Sequence, residues 1–174
     1  MTFPDVVSQT RDYIVSARYL VPTTGPAHRV ALWDTTLAAN GAQAFNEGFM
    51  TRWSTPTDPT GWAAHSAVKI LFEASQAAGT LDGPALVQYL ESPRAVFDLN
   101  KGTGVSFRPW DHQLRQPLYV VRVDQDVEWR RDDVATWVAL ASVAAEYPAA
   151  GAAGDSTQRL DQFGDGAADL ACRF

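Results

Sequence analysis

From Leu37 to Trp53 the apolar residues Leu37, Ala38, Gly41, Ala42, Phe45, Phe49 and Trp53 recur at three- and four-residue spacings, which lays a continuous stripe along one face of a helix. A short apolar run, His28 to Trp33, comes before it, and its length and polar flanks predict a buried strand. Asp34, Thr35 and Thr36 stand between the two as N-cap candidates, so this stretch reads as a strand feeding an amphipathic helix. Two prolines, one glycine and three threonines in residues 54–61 predict a connecting loop. From Trp62 to Ala78 the pattern is again helical, with Ala63, Ala67, Ile70, Leu71, Ala74 and Ala78 on one side and Val68 and Phe72 widening the apolar arc. So wide a stripe predicts burial on more than one side. Gly79 permits a left-handed C-terminal cap, and Thr80 or Asp82 then caps a short third helix through Leu86, Val87 and Leu90 that stops before Pro93.

The second half changes character. Val105-Ser106-Phe107-Arg108 and Leu118-Tyr119-Val120-Val121-Arg122-Val123 are rich in β-branched and aromatic residues, and the polar residues 109–117 between them predict a β-hairpin with a long loop. Residues 132–146 fit either a helix or a buried strand; their length and alanine content favour the helix. Before all of this, Pro4 to Tyr19 is weakly amphipathic and residues 21–26 form a proline- and glycine-containing break. From about residue 148 the composition turns small and predicts a flexible tail. No internal repeat is present. The pattern predicts one α/β domain over residues 1–174, with a mixed sheet flanked by helices.

Composition narrows the function more than the fold. The 174 residues carry a net charge of −6, and the fourteen basic residues are set against twenty acids, so no long-range positive field draws in nucleic acid. No run approaches the roughly 18 to 20 apolar residues that span a bilayer, which predicts a soluble chain without a transmembrane segment. The start, Met1-Thr2-Phe3-Pro4-Asp5, has neither basic leader nor apolar stretch and reads as cytoplasmic unless it has been processed. The lone Cys172 excludes an internal disulfide framework and any multi-cysteine zinc site.

Catalytic signatures are missing: no Gly-x-Ser-x-Gly elbow, His-Glu-x-x-His pair, phosphate loop or dinucleotide fingerprint occurs. The expectation is a protein that is not an enzyme and that needs no cofactor. His28, His65 and His112 are isolated from one another, and none has a second ligand at metal spacing. Asp161, Asp165 and Asp169 recur every four residues, which is not the spacing of a calcium loop, and a solvated acidic face is the expectation. Six tryptophans are many for this length, so some are expected to serve recognition. The densest polar cluster runs from Arg108 to Gln116. In it Arg108, Trp110, Asp111, His112 and Arg115 either form a fork pairing with cation–π contact that fixes the hairpin loop, or present themselves to a docking partner.

Phe97-Asp98, Lys101-Gly102 and then Ser106-Phe107-Arg108-Pro109-Trp110-Asp111-His112-Gln113-Leu114-Arg115-Gln116-Pro117-Leu118-Tyr119 resemble the C-terminal region of type I periplasmic solute-binding proteins of ABC transporters. The resemblance is strongest to the group encoded near pyrroloquinoline-quinone-dependent alcohol oxidation. Gly41-Ala42 with Phe45-Asn46, Gly61-Trp62-Ala63-Ala64 with Ala67-Val68-Lys69, and Leu160-Asp161 with Ala171-Cys172-Arg173 extend it from about residue 28 to the end. It implies a periplasmic location and a fold that is part of a two-lobed clamshell, whose full form is about twice this length and binds solute between its lobes.

Ligands of open α/β sheets sit at the carboxyl ends of strands, which nominates Trp33 and Asp34, with Trp62 nearby, as the remnant of a solute cleft. Because half a clamshell cannot enclose a small molecule, the resemblance favours an accessory subunit docked on a larger periplasmic complex, of the quinoprotein, cytochrome or photosynthetic electron-transfer kind. The alternative is a fragment or minimal form of a transporter binding protein that captures a small polar solute. A small hydrolase is a distant third.

Overall fold

The computed structural model describes residues 28–102, 104–123, 133, 138–139, 141–147 and 159–161. In chain order the elements are β1 (His28–Ala31), α1 (Ala42–Trp53), α2 (Pro59–Ala78), α3 (Gly83–Leu90), β2 (Ser106–Phe107), β3 (Leu114–Arg115), β4 (Leu118–Val123) and β5 (Ala141–Tyr147). The fold is α/β, as the pattern predicts, and among the described residues every strand pair is antiparallel. The described residues fall into two compact units, one within Met1–Ala63 and Leu118–Tyr147, the other within Ala64–Pro117 and Pro148–Phe174. The sequence readings at residues 4–26 and over most of the tail from 148 lie outside the described residues.

In the first unit β1, β4 and β5 form a three-stranded sheet in the order β1-β4-β5. β1 pairs with β4 from His28 opposite Arg122 to Ala31 opposite Tyr119. Strand side chains alternate between faces, and Ala31, Tyr119, Val121 and Ala141 form the buried cluster against which Leu37 and Val143 pack. β1 is therefore not buried on both sides as expected: Ala31 and Trp33 point inward, while Val30 is 67% exposed. The stretch 132–146 also departs from expectation. Ala141–Tyr147 is strand, and of the described residues before it only Val138 and Ala139 are helical. Pairing along β4, from Leu118 opposite Tyr147 to Val123 opposite Ala141, outweighs the helical preference of its alanines.

α1 starts later than Asp34 to Thr36, the residues nominated to cap it. Its N-cap is Gly41, whose φ of 84° places the chain in the left-handed region that glycine tolerates. Asp34 instead closes a turn: its Oδ1 accepts from the Thr36 backbone N–H at 2.9 Å and from Thr36 Oγ1 at 2.7 Å. α2 opens with Pro59 in its first turn, where a missing N–H costs nothing, and Asp58 Oδ1 accepts from Gly61 N at 2.5 Å as a cap. This helix buries Trp62, Ser66, Ile70 and Ala74, one residue every four. The expectation of burial on more than one side is corrected here, because Val68, Leu71 and Phe72 are 70%, 54% and 64% exposed. Gly79 does take the left-handed cap, at φ 65°. Asp82 caps α3 by accepting from Ala85 N at 3.1 Å, and α3 ends at Leu90, short of Pro93.

The expected hairpin is replaced by two separate pairings. β2 turns back within six residues to pair with β3, Ser106 opposite Arg115 and Phe107 opposite Leu114, while β4 belongs to the other sheet. Arg108 N donates to Gln113 O at 2.9 Å and His112 N to Arg108 O at 3.0 Å, which closes the turn around His112 at φ 60°. No described helix is long and apolar enough to cross a membrane.

Candidate functional site

Trp33 follows β1 directly, and Trp62 sits on the first turns of α2. Their rings stack with centroids 5.5 Å apart and 7° between planes, and Phe45 of α1 meets Trp33 edge-on at the same separation. The indole N–H of Trp33 donates to Asn46 Oδ1 at 2.9 Å, and the Asn46 amide donates onward to the carbonyls of Thr35 and Leu37 at 3.0 Å each. Trp33, Asp34 and Trp62 are thus brought together, as the sequence nominated, but all three are buried. The tryptophan rings stack on each other, and one Asp34 oxygen serves its own turn. The strand-end rule that nominated them belongs to parallel sheets, and β1 is an antiparallel strand.

The loop before α2 is more than the connector its composition predicts. Thr55, Thr57 and Asp58 are all buried, and among the described residues the hydroxyls of Thr55 and Thr57 have no hydrogen-bond partner. A buried hydroxyl without a partner costs about 1–3 kcal/mol, so two in one loop are an unusual concentration. Asp58 links this loop to the aromatic pair through its cap on Gly61, next to Trp62; a side chain at Gly61 would meet Asp58 Oδ1 at 3.0 Å and the Phe49 ring at 3.2 Å. Nothing in the sequence pattern distinguishes these threonines from those of any polar loop.

In the second unit the hairpin cluster closes on itself. Arg108 is 2% exposed; its Nε donates to Asp111 Oδ1 at 2.9 Å, Nη2 pairs with Asp111 Oδ2 at 2.6 Å and also donates to Gln113 Oε1. Arg115 donates to Asp161 Oδ1 at 2.6 Å and to the Phe107 carbonyl at 3.0 Å. The Trp110 ring takes the guanidiniums of Arg108 and Arg115 at 5.6 and 5.2 Å from its centroid. His112 pairs with Glu91, beyond the end of α3. Of the two possibilities for this cluster, the fork pairing that fixes the loop is the one that forms. Arg108, Trp110, Asp111, His112 and Arg115, the residues nominated for docking, are thus engaged within their own unit, with the His112 side chain 45% exposed. Asp161 is an ion-pair partner of Arg115 and not part of a free acidic face.

Two further buried groups were not singled out by their chemistry. Lys101 is 1% exposed and its ammonium donates to Gln116 Oε1 at 2.8 Å and to the Pro117 carbonyl at 2.9 Å, tying the loop after Leu99 to the end of β3. Tyr119 is buried in the first unit, and desolvation, with Glu146 opposite it on β5, raises its phenol well above the ordinary tyrosine range. Among the described residues no three His, Cys, Asp or Glu side chains converge on a metal position.

A profile of the family described as periplasmic binding protein matches residues 22–128. Among solved structures, an ABC-type branched-chain amino acid transporter from Rhodopseudomonas palustris superposes with a TM-score of 0.58 at 21% identity, over 77% of this chain and 33% of that one. An amino acid ABC transporter substrate-binding protein from Pseudomonas fluorescens superposes with a TM-score of 0.56 at 14% identity, over 88% and 36%. At such identities the likeness is one of fold, and the chain spans about a third of the length of these structures. No curated protein sequence matches. The family match covers more than half of the chain and includes the aromatic cluster, the threonine loop and the closed hairpin: the chain belongs to the periplasmic binding protein family.

Proposed function

We propose that this chain contributes to the capture of a small polar solute in the periplasm, as part of an ABC-transporter substrate-binding protein, with no catalytic step. The observation that carries the proposal is the pair of unpartnered, buried hydroxyls of Thr55 and Thr57 next to the Asp58 cap. Hydroxyls held this way hydrogen-bond a polar ligand on arrival, and Trp33, Asp34 and Trp62 act as the rigid floor that fixes their loop and not as ligand contacts. Family membership and the two fold neighbours support the solute class, and amino acids are the first candidates because both neighbours serve amino acid transport. The narrower placement beside pyrroloquinoline-quinone-dependent alcohol oxidation rests on the sequence motif of residues 106–119 alone. The accessory-subunit reading rested on half a clamshell being unable to enclose a small molecule, and the cluster nominated for its docking is engaged internally.

Thermal unfolding of the chain across a panel of amino acids, organic acids and alcohols tests the proposal. A true ligand stabilises by about 2.7 kcal/mol at a hundredfold excess over its dissociation constant, and Thr57→Val abolishes that gain. A flat response to every member of the panel refutes solute capture by this chain, and a gain that survives both Thr55→Val and Thr57→Val refutes the assigned hydroxyls.

A further inference from the structure

An open cleft of about 610 Å³ lies between the last turn of α2 and α3, wholly within the second unit. Its volume is that of a small-molecule site, about 300–1,000 Å³. Ala77, Ala78 and Ala85 give it an apolar wall, Tyr89 and Arg94 bring polar groups to it, and Ser92 lines it with its hydroxyl turned away from solvent. None of the residues lining it is acidic, although the chain as a whole carries a charge of −6. Among the described residues none hydrogen-bonds or ion-pairs with the Arg94 guanidinium.

A second observation is independent of that charge. Ser92 Oγ is shut off from solvent and has no hydrogen-bond partner among the described residues, a state that buried hydroxyls rarely keep. The turn that carries both residues is fixed: Ser92 N donates to Tyr89 O at 2.9 Å, Ala95 N donates to Ser92 O at 3.0 Å, and Ala95 is fully buried. These bonds fix the backbone of the turn, while the Arg94 side chain is exposed. The opposite wall has the opposite polarity, since Ala77 and Ala78 end α2, where the helix dipole is negative. An anion is therefore held at the Arg94 side with its apolar body against the alanines.

We propose that this cleft binds a small monocarboxylate with a compact apolar body, the Arg94 guanidinium pairing with the carboxylate through two N–H donors and the Ser92 hydroxyl rotating about χ1 to donate a third hydrogen bond. The site is separate from the Thr55 and Thr57 loop and stands whether or not that loop takes a solute.

Fluorine NMR of 4-fluorobenzoate titrated with the chain tests it, with 4-fluorobenzylamine as the same body bearing the opposite charge and inorganic phosphate as an anion without a body. The expected result is saturable binding of the benzoate with a dissociation constant near ~1 mM, as one charge-assisted pair on a small ligand gives. The benzylamine does not bind, and phosphate competes at least about tenfold more weakly. Arg94→Ala weakens the benzoate about tenfold or more, Arg94→Lys recovers part of the loss, and Ser92→Ala weakens it about threefold to fivefold. Equal binding of benzoate and benzylamine, unchanged binding to Arg94→Ala, or no saturation by 20 times the expected constant each overturns the proposal. Should Arg94→Ala lower the melting temperature, Arg94→Gln with the same three probes decides the matter. Arg94→Ala leaves untouched any solute stabilisation that Thr57→Val removes, so the two sites fail or succeed separately.

Discussion

The aromatic cluster at Trp33 and the arginine cluster at Arg108 are both built from residues whose chemistry suggests exposure and recognition, and both are closed internally, but by different forces. Around Trp33 the closure is by shape: a ring stacked on Trp62, an edge-on Phe45, and one indole N–H passed to Asn46. Around Arg108 it is by charge and direction, with the fork of one guanidinium matched to Asp111 and Gln113 and that of the next to Asp161. The shape-built region leaves polar remainders beside it, in Thr55 and Thr57. The charge-built region uses its donors on its own acceptors. The proposed solute contact is therefore sought beside the first region, and the second is read as a scaffold.

The largest effects separate the two by what rescues them. Trp33→Ala removes a fully buried ring and is expected to destabilise by about 3–5 kcal/mol in chemical denaturation. Arg108→Ala is expected to cost a similar ~3–5 kcal/mol, because it strands the Asp111 carboxylate in a mostly buried position. Trp33→Phe should recover part of the loss, since it keeps an aromatic ring against Trp62 but leaves Asn46 Oδ1 without its donor. Arg108→Lys should recover little, because an ammonium cannot reproduce the fork. The comparison breaks if lysine restores Arg108 as well as phenylalanine restores Trp33.

Alkaline stability probes the first unit alone. The Tyr119 phenol is raised in the folded state by burial and by Glu146, so the folded chain resists ionising it while the unfolded chain does not. Stability from this group is complete below pH ~10, the unfolded value, and declines above it by up to about 1.4 kcal/mol per pH unit. Tyr119→Phe should flatten that decline in urea melts at pH 9.5 to 11, and an unchanged slope would show that Tyr119 is not the group responsible. Arg115→Ala, with its partner Asp161 a quarter exposed, is expected to cost a smaller ~1–2 kcal/mol, part of which 0.5 M salt should mask in the wild type.

Elements were legible in the sequence wherever one periodicity dominated: α2, its Gly79 cap, the Asp82 cap of α3 and the strands at His28 and Leu118 are all written in spacing and cap residues. The misreadings share a cause in pairing. Residues 141–147 became strand because β4 offered a free edge, and β2 closed with β3 because a two-residue strand, Leu114-Arg115, is too short to show a period. The candidate residues were legible as a set and illegible in burial. Tryptophan and arginine attract notice by type, yet whether their faces and forks stay open depends on Asn46, Gln113 and Asp161, which lie 13, 5 and 46 residues away from the groups they satisfy. Thr55 and Thr57 failed to stand out for the converse reason: a missing partner leaves no trace in sequence.

The smallest expected effect is the most diagnostic of the contrast. Thr→Val keeps the shape of the side chain and removes only the hydroxyl. At a site where that hydroxyl hydrogen-bonds inside the fold the exchange costs stability; where it has no partner, the desolvation penalty disappears and the exchange is neutral or stabilising by up to about 1 kcal/mol. Thr55→Val and Thr57→Val are therefore expected to leave the melting temperature unchanged or raise it by a few degrees. The control is Thr36→Val, which removes a hydroxyl that donates to Asp34 at 2.7 Å and accepts from Val143 N at 3.3 Å, and which should lower it. A loss at Thr55 and Thr57 equal to that at Thr36 would mean their hydroxyls are satisfied in solution, and the first region would then hold no polar remainder for a solute to meet.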